Sequence, residues 1–366
     1  MNSAIRAVIS TVLASTLLTT ALIGQSGAPI PLPSQEPEGD EFRFAAIGDS
    51  GTGGREQYKL AERLLKVQAR TKFSLLLFLG DNIYESGSPK GVENKFIKPY
   101  APLFFRGVEF RGVIGNHDAL NENGVVLQQL IFGMGVKTFY SFSKEDDLVE
   151  FFALDSTLLT SDKDHALSQV QLGWLESALS GSKSRWRISF MHHPMYSSAK
   201  KHGVGSSRQD EMNRLRGMLE PLFVRYDVAL SISGHDHVYE RTKRQQGVQY
   251  FTSGVGAKLR KGDLRKTSPF YDYGNDQVRS FLLFSVAPES IRFWCIDVNG
   301  NVLDSGLVGS GSSTIDWNVK LVDQKLHYDP FSVDRRRFQA RTSFFDPVSF
   351  ESGDVSLARK IWRILV

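Results

Sequence analysis

The 366 residues are 41% hydrophobic and 23% charged, an ordinary globular composition that suffices for one large domain or two small ones. An excess of 44 basic over 40 acidic residues leaves a net charge of only +4, too weak to mark a nucleic-acid surface. A single cysteine, Cys295, rules out an internal disulfide framework and reads as a small buried hydrophobe.

The first 28 residues carry one arginine, then an apolar run diluted by serine and threonine as far as Ile23, then small residues suited to cleavage. This is the pattern of a signal peptide and predicts export to a secreted or periplasmic location. A retained anchor is the alternative, because residues 7–23 just reach a spanning length, although their hydroxyl side chains weaken it. Residues 29–41, rich in proline and acid without an apolar period, read as a linker.

From Phe42 onward short apolar runs alternate with longer amphipathic ones. FRFAAI (42–47), FSLLLFL (73–79), FRGVI (110–114), VEFFAL (149–154), WRISFM (186–191) and VALSIS (228–233) predict strands. Residues 55–70 place Tyr58, Leu60, Ala61, Leu64, Leu65 and Val67 at roughly helical spacing, and residues 168–179 do likewise, opening on a serine able to cap. Strands without strict alternation suit a sheet covered on both faces, so the expected architecture is a layered α/β or α+β domain. Later, Asn299-Gly300 between two strand-like runs predicts a hairpin.

The informative regularity lies just past the strand ends. Gly48-Asp49 comes after the first and Gly80-Asp81 after the second, with Tyr84 three residues on. Gly115-Asn116-His117-Asp118 comes after the third, His192-His193 after the fifth and Gly234-His235-Asp236-His237 after the sixth. Open α/β sheets bind ligands beyond the carboxyl ends of their strands, so five such exits should converge on one rim. Carboxylates, imidazoles, an amide carbonyl and a phenol suit hard to borderline cations. Asp49, Asp81, Tyr84, Asn116, His192, His235 and His237 are more candidate ligands than one ion takes while leaving a site open, so two ions fit better than one. A carboxylate such as that of Asp81 can bridge a pair about 3.5–4 Å apart.

In their order, GDSG (48–51), GDNIY (80–84), GNHD (115–118), MHHP (191–194) and GHDHVYER (234–241) resemble the motifs of purple acid phosphatases, within the calcineurin-like metallophosphoesterases. The resemblance spans residues 42–309, and QLGWLE (171–176) and the late hairpin also agree with it. With no separate β-sandwich domain before Asp49, the chain looks more like the short, tartrate-resistant type than the long plant type. The resemblance implies a β-sandwich flanked by helices, with a binuclear metal site at the strand ends. One ion would be held by Asp49, Asp81, Tyr84 and His237, the other by Asp81, Asn116, His192 and His235, with Asp81 bridging. A phenolate from Tyr84 would make the first ion Fe(III), beside a divalent Fe, Zn or Mn. Generic metallophosphoesterases carry a histidine two residues after the first aspartate, where this chain has Gly51, and they lack the tyrosine.

The activity so implied is acid phosphatase chemistry on phosphate monoesters of small molecules or phosphoproteins, with a water made acidic by the metals as nucleophile. His117 and His202 are the implied catalytic side chains near the leaving group. A phosphodiesterase or nucleotidase of the same superfamily, and a non-catalytic metal- or phosphate-binding protein, are the alternatives. No specific nucleic-acid partner and no stable membrane association after cleavage are expected.

Other residues have plainer readings. His165, His193 and His327 read as surface or satisfied core residues. Asp118 and Asp236 are expected to orient neighbouring imidazoles. Residues 197–209 suit a mobile rim loop whose Lys200, Lys201 and Arg208 are solvated. Segments 85–109, 119–140 and 256–279 should supply pocket walls as loops. Residues 310–366 lie beyond the resemblance and read as an extension of unassigned role.

Overall fold

The computed structural model describes residues 31–33, 37, 39–161 and 165–309. The signal-peptide reading of residues 1–28, part of the linker, His327 and the extension 310–366 therefore lie outside the described residues.

Two mixed sheets stack face to face. Strands β1 (Phe42–Ile47), β2 (Leu75–Phe78) and β3 (Glu109–Gly112) run parallel. With the antiparallel β11 (Ser280–Val286), β12 (Ser290–Asp297) and β13 (Val302–Gly309) they form a six-stranded sheet, ordered β13-β12-β11-β1-β2-β3. The second sheet has a parallel centre of β5 (Val149–Ala153), β6 (Trp186–Met191), β7 (Val228–Ser233) and β9 (Gln249–Ser253). Antiparallel β4 (Tyr140–Lys144), β8 (Tyr239–Thr242) and β10 (Tyr271–Asn275) complete it.

Alternation along each strand divides the core into layers. Phe44 and Ala46 of β1 point between the sheets, where the Phe44 ring stacks on Phe284 at 4.7 Å and meets Phe151 of the other sheet edge-on at 5.0 Å. Ala45 and Ile47 point outward, under helices α1 (Arg55–Thr71), α2 (Lys98–Phe105) and α3 (Glu122–Phe132). The second sheet is covered on its outer face by α5 (His165–Gly181) and α6 (Gln209–Arg225), with the short α4 (Ser156–Thr160) alongside. Both faces of β1 and β2 are thus apolar, which is why those strands read as near-continuous hydrophobic runs.

Several expectations need correction. The metal-type residues leave two sheets, not one: Asp49, Asp81 and Asn116 follow β1, β2 and β3, while His192 and His235 follow β6 and β7. Ser168 is no cap, since the helix starts at His165 and the Ser168 hydroxyl donates to the Leu158 carbonyl. Segments 85–109 and 119–140 carry α2 and α3 rather than plain loops, and 256–279 contains β10. The stretch 197–209 is no loose loop at its start: Ser197, Ser198 and Ala199 are fully buried, and the Ser198 amide donates to Glu240 at 2.8 Å.

Candidate metal centre

The two sheets are joined at their carboxyl ends by short polar bonds. Gly48 donates to the Ser253 carbonyl at 2.9 Å, and His192 Nδ1 lies 2.8 Å from the Leu79 carbonyl. Chain reversal directly after each strand puts Asp49, Asp81 and His235 in the left-handed region, at φ of 54°, 53° and 68°. Aspartate and histidine tolerate that region better than most residues, and it turns their side chains back over the sheet ends.

All seven candidate ligands fall in one contiguous cluster. On one side the Tyr84 hydroxyl donates to Asp49 Oδ1 at 2.8 Å and lies 3.3 Å from His237 Nε2, itself 3.3 Å from Asp49 Oδ1. On the other, Asn116 Oδ1 stands 3.0 Å from both His192 Nε2 and His235 Nδ1, which are 3.3 Å apart. Asp81 lies between the halves, with Oδ1 at 3.5 Å from His192 Nε2. Ligand atoms of Asp49, Asp81 and His192 are all within 4.8 Å of one another. Asp49, Asp81, Tyr84, His192 and His235 are buried, whereas Asn116 and His237 are half-buried and open the cluster to solvent.

The donor set fits a cation. His192 spends its Nδ1 proton on the Leu79 carbonyl, so in the neutral ring Nε2 is a bare lone pair. That lone pair faces the oxygens of Asn116 and Asp81, and acceptors turned on acceptors are satisfied by a positive centre. The electrostatics agree. Burial depresses the His192 imidazole, but the Asp81 and Asp49 carboxylates outweigh it and hold it above its ordinary value. His235 is driven well below, first by burial and then by the neighbouring imidazoles. Asp49 is held low against the opposing effect of burial, by His237, His192 and Tyr84. Burial, then Asp49 and Asp81, push the Tyr84 phenol far up, a sign that a bound cation inverts.

Glycine permits the loop geometry here. A Cβ on Gly51 would sit 1.9 Å from the Asn82 carbonyl oxygen, inside the turn that carries Asp81 and Tyr84. Gly51 and Tyr84 are also joined by a backbone bond of 2.8 Å. A histidine at position 51 is therefore incompatible with this turn, which gives the exchange of His for Gly51 and Tyr84 a steric basis.

The half-buried His117 and His202 flank the cluster. His117 Nδ1 is 2.6 Å from the Glu85 carbonyl, and its ring packs 4.7 Å from that of Tyr84. His202 Nδ1 is 2.8 Å from Asp236 Oδ1, and its ring lies 4.4 Å from that of His235. Asp236 thus orients an imidazole as expected, its other oxygen accepting from Ser197. Asp118 does not. It accepts from the amides of Asn82, Ile83 and Gly115 and fixes the loops bearing Asp81 and Asn116. Burial, with the Asp81 charge, raises its carboxyl to about 6.

His193 is buried and bonded to Ser156, as a satisfied core residue is, yet its ring also packs 4.4 Å from His235. Its ligand atom lies within 4.8 Å of those of His192 and His235. His165 is exposed, as are Lys200, Lys201 and Arg208. Sequence reasoning passed over Lys258, whose Nζ stands 4.3 Å from the Tyr84 ring centroid, and Arg260, 3.3 Å from His237 Nδ1. Their only sequence signal is two cations in a segment read as pocket wall.

Residues 42–239 match the model of the calcineurin-like phosphoesterase family. The chain belongs to that family. Among relatives of this calcineurin-like phosphoesterase, tartrate-resistant acid phosphatase type 5 of Mus musculus is 25% identical over 305 residues, covering 72% of this chain and 88% of the relative. Purple acid phosphatase 7 of Arabidopsis thaliana is 25% identical over 300 residues, covering 74% and 87%. A purple acid phosphatase from yellow lupin seeds superposes with a TM-score of 0.62 at 18% identity, over 77% of this chain and 55% of that one, a likeness of fold. A layered sandwich with a possible metal-ligand cluster at the strand ends is the architecture expected of this family. Among the described residues, no helix is long and apolar enough to cross a membrane.

Proposed function

We propose that this calcineurin-like phosphoesterase is an exported acid phosphatase that hydrolyses phosphate monoesters at a two-metal centre. The observation that carries the reading is the single cluster in which Asp49, Tyr84 and His237 on one side, and Asn116, His192 and His235 on the other, meet across Asp81. The first three with Asp81 would hold Fe(III); Asp81 with the second three would hold a divalent Fe, Zn or Mn. Such a pair, when bound, supplies charge neutralisation for the phosphoryl group and an acidified water.

The chain's own side chains do the rest. Asp49 is kept in place by the His235 amide at 2.7 Å, and Asp81 by the His117 amide at 2.9 Å, so the cluster is rigid before substrate arrives. His117 and His202 each have Nδ1 engaged, by the Glu85 carbonyl and the Asp236 carboxylate, which leaves Nε2 as the nitrogen able to meet substrate. Either can hand a proton to the leaving oxygen from there.

Metal analysis with an assay of a monoester and a diester at acidic pH tests the reading. Two metals per chain with monoester preference supports it. Diester preference favours the phosphodiesterase alternative, and bound metal without turnover on either favours the non-catalytic one.

A further inference from the structure

We infer that the rim of this site contains a second anion subsite, so that its preferred substrates are small molecules carrying another phosphate besides the one removed. The inference rests on the phosphohydrolase reading above and adds a substrate class to it.

Two loops build the rim. Residues 197–204 follow β6 and residues 254–265 follow β9, and they are zipped together. Lys200 donates to the Asp263 carbonyl at 2.7 Å, Arg265 to the Ser198 carbonyl at 2.9 Å, and Ala199 and Leu264 form an antiparallel bridge. The second loop is also fastened to the candidate ligands: Ala257 and Lys258 donate to the Asp49 carbonyl at 3.0 and 3.2 Å, and Arg260 to the His237 carbonyl at 3.0 Å. Cations on these loops therefore stand at fixed positions relative to the cluster.

Those cations gather on one side. Lys258 reaches over the Tyr84 ring, Arg260 reaches His237, and Lys201 adjoins His202. Lys201 is held below its ordinary value, by desolvation and then by the charges of Arg260 and Arg208, with Asp263 and Asp236 opposing. Among the cations of the two zipped loops, Lys258 and Arg260 thus stand against the ligand cluster, with Lys201 beside His202 in the chain. The acids facing them are few. Glu85, with 75% of its side chain exposed, is 3.4 Å from Lys258, Asp263 is 3.4 Å from Arg260, and Asp236 is taken by His202 and Ser197. Each partner contact is single and long, so Lys258 and Arg260 retain unsatisfied donors.

Crowded like charges raise the free energy of the empty rim, and a phosphate placed among them relieves it through charge-assisted bonds. A monoester whose reacting phosphate lies on the Asp81 side presents the rest of its structure to this rim. A second phosphate there is held by Lys201, Lys258 and Arg260, while the reaction is unchanged. Water oxygen bonds to phosphorus, the bond to the leaving oxygen breaks, that oxygen takes a proton, and the second phosphate leaves intact on the product.

The test compares fructose 1,6-bisphosphate with fructose 1-phosphate on the metal-loaded full chain. The bisphosphate is expected to have kcat/KM about tenfold or more higher, mainly through KM, with the advantage shrinking in high salt. Lys201→Met and Lys258→Met should each shrink the ratio by several-fold. A ratio near one with normal monoester turnover overturns the subsite and leaves the phosphatase reading intact. If neither ester turns over, that reading fails, and calorimetry decides the subsite separately: inorganic pyrophosphate binding no tighter than orthophosphate overturns it, whereas tighter binding lost in the lysine variants supports it.

Discussion

Asp236 Oδ1 accepts from His202 Nδ1 at 2.8 Å, tying the residue between two candidate ligands of the second sheet to an imidazole on the rim. The contact makes separate outcomes for ligand and proton donor measurable. His202→Ala should lower turnover roughly 100-fold with bound metal unchanged, as expected for loss of a general acid. Asp236→Asn should lower it less and leave bound metal unchanged, because the amide oxygen can still accept from His202 Nδ1 and hold the ring in place. Loss of metal in His202→Ala would make that residue a ligand instead.

Gly51 faces the Asn82 carbonyl so closely that a Cβ would lie 1.9 Å from its oxygen, while one on Gly54 meets nothing nearer than 3.5 Å. Gly51→Ala should therefore cost about 3 kcal/mol or more, by displacing the turn that holds Asp81 and Tyr84. Gly54→Ala should be close to neutral. Urea midpoints with metal analysis check the pair, and equal effects would contradict the steric account.

Tyr84 donates to Asp49 at 2.8 Å from a buried position where burial and two carboxylates oppose its ionisation. Only a strongly charged cation can hold it as phenolate there. Iron-loaded protein should absorb in the visible through phenolate-to-iron charge transfer, and Tyr84→Phe should be colourless while remaining folded. Colour surviving the substitution would assign the first ion a different ligand.

Parallel strands such as β2 were readable because helices cover one face and the partner sheet the other, leaving near-unbroken apolar runs such as Leu75–Phe78, whereas the parallel β9, QYFTS, has no such run and was not read. β4, β8 and β10 were not, since YSFSK, YERT and YDYGN mix polar and aromatic residues and depend on a neighbouring strand for their structure. Ligand types were visible because each follows a strand directly. Their division between two sheets was not, because a strand exit looks the same whichever sheet holds it. Asp118 misled for a related reason: its neighbour in sequence is an imidazole, but the fold offers its carboxylate three backbone amides. The burial of Ser197 and Ser198 depends on Asp236 and Glu240, some forty residues downstream, and no local pattern records that.

Asn116 Oδ1 lies 3.0 Å from His192 Nε2, with both atoms lone-pair donors when His192 is neutral. Chelated protein should therefore gain stability on adding Zn or Mn, by about 2.7 kcal/mol at a free metal concentration a hundredfold above Kd. Thermal denaturation reads the gain. Asp81→Asn should lose most of it, since that carboxylate touches both halves of the cluster, and an unchanged gain would move the metals elsewhere.

Glu240 supplies a pH dependence separable from the metals. Burial raises its carboxyl from an ordinary 4.5 to about 7, against the opposing bonds from Ser198. Between those values the folded chain binds the proton that the unfolded chain has released. The stabilisation is thus fully present below about 4.5 and is lost as pH rises through about 7. It amounts to something on the order of 3 kcal/mol. Glu240→Gln keeps an acceptor for the Ser198 amide but cannot titrate, so urea midpoints of the metal-free variant should lose this slope. A native-minus-variant difference that stays constant from pH 4.5 to 8 would show that Glu240 remains ionised.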